Sequence, residues 1–285
     1  MRSDTTLSIA LLVASMISIQ FGASVAKGLF PVLGPEGTTT LRCGLAAVIL
    51  LALQRPWRAR PSRAALLSVA LYGAALGSMN LLFYLGVARI PLGVAVALEF
   101  TGPLTLALVA SRRARDLLWV GLAAAGIALL LPWSRAGRPL DPAGVAFALG
   151  AGACWALYIV LGQRAGRAVP GGAASALGML FAALVVAPFG VLRAGPQLLR
   201  PALWPLAVAV AVLSSALPYS LEMHALRRLP ARTFGILMSL EPALATLAGL
   251  VVLRERLSPT QAAAIACIMA ASAGSAASAR SSDRR

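Results

Sequence analysis

Apolar residues run through this chain in long blocks separated by short clusters of arginine, proline and glycine, and almost nowhere do they fall into an amphipathic stripe. An α-helix rises 1.5 Å per residue, so about 20 mostly apolar residues cross the roughly 30 Å hydrocarbon core of a bilayer. Ten blocks approach or reach that length, near 7–26, 36–53, 64–87, 93–111, 117–132, 142–163, 173–192, 203–223, 232–252 and 259–278. The intervals between them are mostly short, which forces successive helices to run antiparallel. The predicted fold is an all-α integral membrane protein of ten transmembrane helices, with the lipid bilayer as its first partner. No segment remains that could fold as a soluble catalytic domain.

Charge adds the orientation. Only 12% of the 285 residues are charged against 59% hydrophobic, yet the net charge is +16. In a soluble chain that excess would point to nucleic acid, but here the cations sit between apolar blocks, where they set topology, so nucleic acid is not expected as a partner. With a cytoplasmic N-terminus, the cytoplasmic segments hold Arg2, Arg55, Arg58, Arg60, Arg63, Arg112, Arg113, Arg115, Arg164, Arg167, Arg227, Arg228, Arg232, Arg280, Arg284 and Arg285, sixteen in all. The opposite side holds eight: Lys27, Arg89, Arg135, Arg138, Arg193, Arg200, Arg254 and Arg256. This bias predicts both termini inside. Twenty-four arginines against one lysine, with abundant Ala and Gly, fit a GC-rich bacterial genome and hence the bacterial inner membrane.

Ser24-Val25-Ala26 resembles a signal-peptidase site, but the run before it is span-length and is read as the first helix. Cys43, Cys154 and Cys267 lie far apart inside separate blocks, which suits buried small side chains rather than disulfides or a metal site, and no cofactor is expected.

The chain also repeats itself. Asn80 to Asp116 aligns with Tyr219 to Glu255 at a constant offset of 139 residues: Arg89-Ile90-Pro91 meets Arg228-Leu229-Pro230, Pro103 meets Pro242, and Asp116 meets Glu255. Each copy holds five spans, an odd number, so the second enters the membrane from the opposite side. The predicted organisation is an inverted pair, 1–138 and 139–279, with a cytoplasmic tail at 280–285. Such repeats place substrate near the midplane between the halves and give alternating access by rocking one half on the other.

Several strings carry a family resemblance: Ser18-Ile19-Gln20, Gly22-Ala23-Ser24, Ala97-Leu98-Glu99-Phe100-Thr101-Gly102-Pro103-Leu104, Gly150-Ala151-Gly152-Ala153-Cys154-Trp155-Ala156, Pro218-Tyr219-Ser220-Leu221-Glu222-Met223 and Ser239-Leu240-Glu241-Pro242-Ala243-Leu244. Over almost its whole length the sequence resembles the EamA-type drug/metabolite transporter superfamily, within it the branch that exports threonine and homoserine. The resemblance implies ten helices and proton-driven efflux of small hydrophilic amino acids. His224 and Arg254 depart from it, the first where an apolar residue is expected and the second where a small one is.

A charge at mid-bilayer costs about 3 kcal/mol on insertion scales, so each one needs a reason. Glu99 and Glu241 fall within the fourth and ninth blocks, Arg42 within the second and Glu222 near the end of the eighth, with Lys27 and His224 close to interfaces. In a functional reading Glu99 and Glu241 bind the substrate ammonium and couple to protons, while Arg42 meets the substrate carboxylate. In a structural reading Arg42 bridges permanently to one of the acids. Pro103 cannot bond the carbonyl of Glu99, nor Pro242 that of Met238, so bends are expected at equivalent positions of the two repeats. The freed carbonyls either take a substrate ammonium or are healed by neighbouring side chains and water.

Gln20, Asn80, Tyr84, Tyr158, Tyr219 and Ser220 could hydrogen-bond substrate or glue helices together. Gly73, Gly77, Gly150 and Gly152 read as close-packing positions, and Trp57, Trp119 and Trp133 as interfacial anchors.

Alternatives from other classes are weaker. An integral-membrane enzyme lacks support, since His224 is the single histidine and neither an H-E-x-x-H helix nor a G-x-S-x-G elbow occurs. A scaffold would not require central glutamates in an inverted repeat. The runner-up is an exporter of another amino acid, metabolite or drug. The topology is open to direct measurement: a reporter fused after Arg285 should be active only as a cytoplasmic reporter, and activity of a periplasmic one there would overturn the span count and the inversion together.

Overall fold

The computed structural model describes residues 2–59, 61–109, 116–130, 140–169, 172–218, 221 and 237–278, and every regular element among them is helical. The elements are α1 (Arg2–Lys27), α2 (Phe30–Gln54), α3 (Arg63–Val87), α4 (Leu92–Glu99), α5 (Thr101–Val109), α6 (Asp116–Leu130), α7 (Pro142–Ala168), α8 (Ala173–Ala194), α9 (Trp204–Ala211), α10 (Glu241–Val252) and α11 (Pro259–Ser278). Five helices, α1, α2, α3, α7 and α8, are long and apolar enough to cross a membrane; Leu92–Leu106, Leu117–Leu129, Pro201–Ala216 and Glu241–Val252 are shorter apolar segments.

Four predicted spans differ in detail. Block 36–53 begins earlier, because a helical turn from Phe30 runs into Gly34, whose φ of +67° suits only glycine, before Pro35 restarts the helix. Block 93–111 is broken at Phe100 into α4 and α5, as expected of a segment containing Pro103. In block 203–223, α9 gives way to a π-helical turn at Val212–Ala216. There the Ser18 hydroxyl donates to the carbonyl of Leu213 (2.7 Å) and that of Ser15 to the carbonyl of Pro218 (3.0 Å), so α1 satisfies backbone groups on this distorted stretch. In block 232–252, described from 237, Leu240 N–H bonds Leu237 and Leu244 N–H bonds Leu240; a turn at Ser239–Leu240 precedes α10. Phe100 and Ser239 stand 139 residues apart, so the two breaks coincide with the repeat register.

Small residues let the helices approach. On α3, a Cβ at Gly73 would come 2.5 Å from the carbonyl oxygen of Gly178, and one at Gly77 2.7 Å from that of Ala182, which brings α3 onto α8. The Thr40 hydroxyl bonds the carbonyl of Val186 at 2.9 Å, tying α2 to α8. The buried Cys43, with Cys154 and Cys267, is a free thiol.

The closest contacts centre on α4. A Cβ at Gly93 would overlap the side chain of Thr246 on α10 and stand 2.8 Å from its Cα. A Cβ at Gly249 would lie 3.7 Å from Cβ of Leu92. Positions therefore pair in descending against ascending order, Leu92 by Gly249 and Gly93 by Thr246: α4 and α10 run antiparallel. On the other side of the break, a Cβ at Gly102 would collide with the backbone of Gly152, and one at Gly152 would lie 2.6 Å from the carbonyl oxygen of Glu99.

Gly152→Ala should therefore destabilise the detergent-solubilised protein by about 1–3 kcal/mol through overpacking, whereas Gly150→Ala, whose new Cβ meets only Leu82 Cδ1 at 3.4 Å, should be close to neutral. Thermal unfolding of the two variants side by side is the check; equal melting temperatures would mean that α5 and α7 have room to separate.

Candidate functional site

The register of α1 builds one wall of the site. Ser15, Ser18 and Gly22 lie on one stripe and face the π-helical turn, where a Cβ at Gly22 would come 2.9 Å from Ser214. Leu12, Met16, Gln20 and Lys27 follow a neighbouring stripe toward α10. Leu12 and Met16 pack with Leu237, Met238 and Leu244; Gln20 Nε2 donates to Glu241 Oε1 (3.2 Å); and Lys27 Nζ meets Glu255 Oε1 at 2.7 Å. The same Glu255 carboxylate accepts the N–H of Leu92 at 2.9 Å through its other oxygen, capping α4. One carboxylate thus joins the end of α1, the start of α4 and the segment after α10.

Glu99 and Glu241 stand opposite each other across the α4–α10 crossing. Both are buried, and Glu99 lies within electrostatic range of Glu241 and of Arg42. Glu241 opens α10, with Pro242 next to it, so its carboxylate sits at a helix N-terminus, where negative charge is favoured. Gln20 and Glu99 are each seven residues from Lys27 and Leu92, about 10 Å in from that end along a helix.

Arg42, 5% exposed, supplies the buried cation. Asn80 and Tyr84 project from one face of α3, four residues apart, and clasp it: Arg42 donates to Asn80 Oδ1 and to the Tyr84 hydroxyl (3.2 Å), with its guanidinium 5.1 Å from the centre of the Tyr84 ring. Asn80 Nδ2 donates to the carbonyl of Leu76 at 2.8 Å, which turns Oδ1 toward the arginine. The result is one clamped cation near two carboxylates, a set of charges complementary to a zwitterion.

Of the residues expected from sequence, Glu99, Glu241, Arg42, Asn80 and Tyr84 come together, and Pro103 and Pro242 flank the two breaks. Tyr219 and Glu222 lie outside the described residues, as do Ser220, His224 and Trp133. Tyr158 stacks on Tyr72 with ring centres 5.0 Å apart and belongs to the packing between α7 and α3. The carbonyl of Glu99 lies against the side of Gly152 that lacks a Cβ, so backbone from α7 packs beside it. A cavity of about 600 Å³ opens far from these charges, lined by Gln54, Arg55, Arg58 and Gly172. Sequence reasoning treated Lys27 and Glu255 separately and missed their contact, for which Glu255 as a repeat landmark was the only available signal.

Comparison with known proteins places this arrangement. The EamA-like transporter family model matches residues 142–276. The chain is 54% identical to the threonine/homoserine exporter RhtA of Escherichia coli (strain K12) over 94% of this chain and 91% of that one, and 53% identical to that of Salmonella typhimurium (strain LT2) over the same shares. It is 31% identical to the uncharacterized transporter YwfM of Bacillus subtilis (strain 168) over 56% of this chain and 55% of that one. A crystal structure of a protein 20% identical, covering 100% of this chain and 99% of the other, superposes with a TM-score of 0.61 and shares the fold.

Because Glu255 satisfies an ammonium and a helix N-terminus at once, Glu255→Ala should cost about 1–3 kcal/mol, more than Lys27→Met, which removes one of the two contacts. A double-mutant cycle read by thermal unfolding should return a coupling above about 0.5 kcal/mol, and strict additivity would show that the ion pair adds nothing.

Proposed function

The chain belongs to the EamA-like transporter family, and from that premise we propose that it exports threonine and homoserine across the bacterial inner membrane in exchange for protons. The observation that carries the substrate is the 54% identity with the threonine/homoserine exporter along 94% of the chain. Nothing among the described side chains singles out a hydroxylated substrate on chemical grounds alone, so the substrate rests on kinship and the coupling on the site.

In this reading Arg42, fixed by Asn80 and Tyr84, takes the substrate carboxylate, and Glu241 with Glu99 takes the ammonium. A carboxyl group among apolar neighbours is stable with a proton on it or with a cation beside it, and costly with neither. Proton and ammonium then compete for one site, and binding of either weakens the other by the same factor. That competition is exchange.

The architecture we propose has ten helices in two inverted five-helix repeats, 1–138 and 139–279, followed by a tail at 280–285, with both termini cytoplasmic. Its support is threefold. The spans equivalent under the offset of 139, α4 with α5 and the ninth block, lie antiparallel, with the first half of one (α4) against the second half of the other (α10). Their breaks, at Phe100 and Ser239, fall at matching positions. The ends that alternation puts on one face do meet there: Lys27 with Glu255 and Leu92, and Arg89 with Asp141 at 3.4 Å. Rocking about the α4–α10 crossing would then expose the acids to each side in turn.

In proteoliposomes carrying the full chain, an imposed pH gradient should drive threonine and homoserine against their gradients. Glu241→Gln keeps the shape of the side chain but cannot exchange a proton, and should abolish gradient-driven transport while the protein still inserts. Glu99→Gln should do the same if it shares the role, and should lose only stability if it serves Arg42. Vesicles that move neither amino acid would sink the substrate assignment; both Gln variants transporting at the wild-type rate would place coupling elsewhere.

A further inference from the structure

Gln20 is the neutral group set among these charges, and the roles given to the acids and Arg42 leave it unused. It is 2% exposed, its Nε2 donates to Glu241, and its carbonyl oxygen Oε1 is buried with no hydrogen-bond partner among the described residues. Chemistry fixes this orientation: an ionised carboxylate only accepts, so the amide must turn its NH2 toward Glu241 and its oxygen away. The side chain cannot escape by rotation of α1, because Ser15 and Ser18 hold one stripe of that helix on the π-helical turn and Lys27 holds its end on Glu255. A buried amide oxygen left without a donor is disfavoured, and its persistence beside a cation-binding carboxylate implies a partner that comes and goes.

We propose that Gln20 Oε1 is a ligand of the substrate's ammonium group, so that Glu241 supplies the charge and Gln20 a second acceptor for another of its N–H bonds. This rests on the reading of Glu241 as the ammonium site. An amide suits the position better than either neighbour in chemistry. Leucine or methionine could not hold Glu241, and a second carboxylate would compete with it for the proton. When Glu241 carries the proton instead, its carboxyl gains a donor, and the same amide can turn over about its last bond and accept it. Gln20 can therefore satisfy either cargo, and it prefers, among organic ligands, those with an N–H donor next to the carboxylate.

The test compares threonine with its α-deamino analogue, in which hydrogen replaces the ammonium and no donor remains there, as competitors of radiolabelled threonine counterflow in proteoliposomes of the full chain. Gln20→Met keeps length and flexibility but removes both hydrogen-bonding groups. It should raise the KM for threonine roughly tenfold, the worth of one hydrogen bond to a charged group, and leave inhibition by the analogue within about twofold. A loss shared equally by both ligands, or no loss for either, would overturn the proposal, since polar glue between α1 and α10 does not distinguish them. Should Gln20→Met fail to give a monodisperse protein, Gln20→Asn serves instead: a KM increase confined to threonine supports the proposal, and one shared with the analogue defeats it. Glu241→Gln is run in parallel. An unchanged threonine KM there removes Glu241 as the ammonium site, while a selective effect at Gln20 would still stand. If the wild type moves a different amino acid, the same comparison is made with that amino acid and its α-deamino analogue.

Discussion

Everything at the centre of this protein follows from how closely α4 and α10 approach each other. Only hydrogen at position 93 leaves room for Thr246, and that contact sets a register in which Glu99 and Glu241 face one another instead of pointing to separate surroundings. In lipid there is no hydrophobic force between helices to bring them together, so small residues and polar contacts must do it. The same principle recurs at Gly73 and Gly77 against α8, and at Gly102 against Gly152. Two acids brought together in an apolar setting are not tolerated for stability's sake; the nearby arginine relieves their repulsion, and in the proposed cycle an exchangeable cation does so too.

Much of this was legible from the chain itself, for a physical reason. Span placement depends on length and apolar content, both local, and among the described residues five of the blocks are helices long and apolar enough to cross a membrane, with shorter apolar helices in others. The breaks near Pro103 and Pro242 were also legible, since a missing N–H is a covalent fact. Contacts between distant residues were not. Gln20 meets Glu241 across 221 positions and Lys27 meets Glu255 across 228, and no local pattern encodes such pairs. The π-helical turn after α9 was equally hidden, because two serines on α1 help to satisfy it. Also unreadable from the sequence was what lies beside the carbonyl of Glu99, whose donor proline removes: Gly152, from a segment noted only for its small residues, packs against it.

The site divides its labour by rigidity. Arg42 is held from two sides by Asn80 and Tyr84, the former itself locked to the backbone of α3, so the cation is a fixed landmark. Glu241 is held by an amide that can turn over. In the proposed reading a zwitterion docked on such a site would find its carboxylate end specified by geometry and its ammonium end by charge and proton occupancy. On that proposal, selectivity for the common core of an amino acid would come from these groups, and discrimination among side chains from elsewhere in the path.

The Glu255 junction carries a last consequence for how this end of the bundle parts. Pulling α1 away from α10 leaves behind an ammonium, a carboxylate and the first amide of α4, three groups that hydrocarbon cannot satisfy but water can. Lys27 is already 26% exposed and Glu255 13%, so solvent touches the junction before it moves. Under the proposed rocking, this end would therefore part as water takes over the three groups, and the seal would behave less like a hinge forced open than like a salt crystal dissolving at its wetted edge.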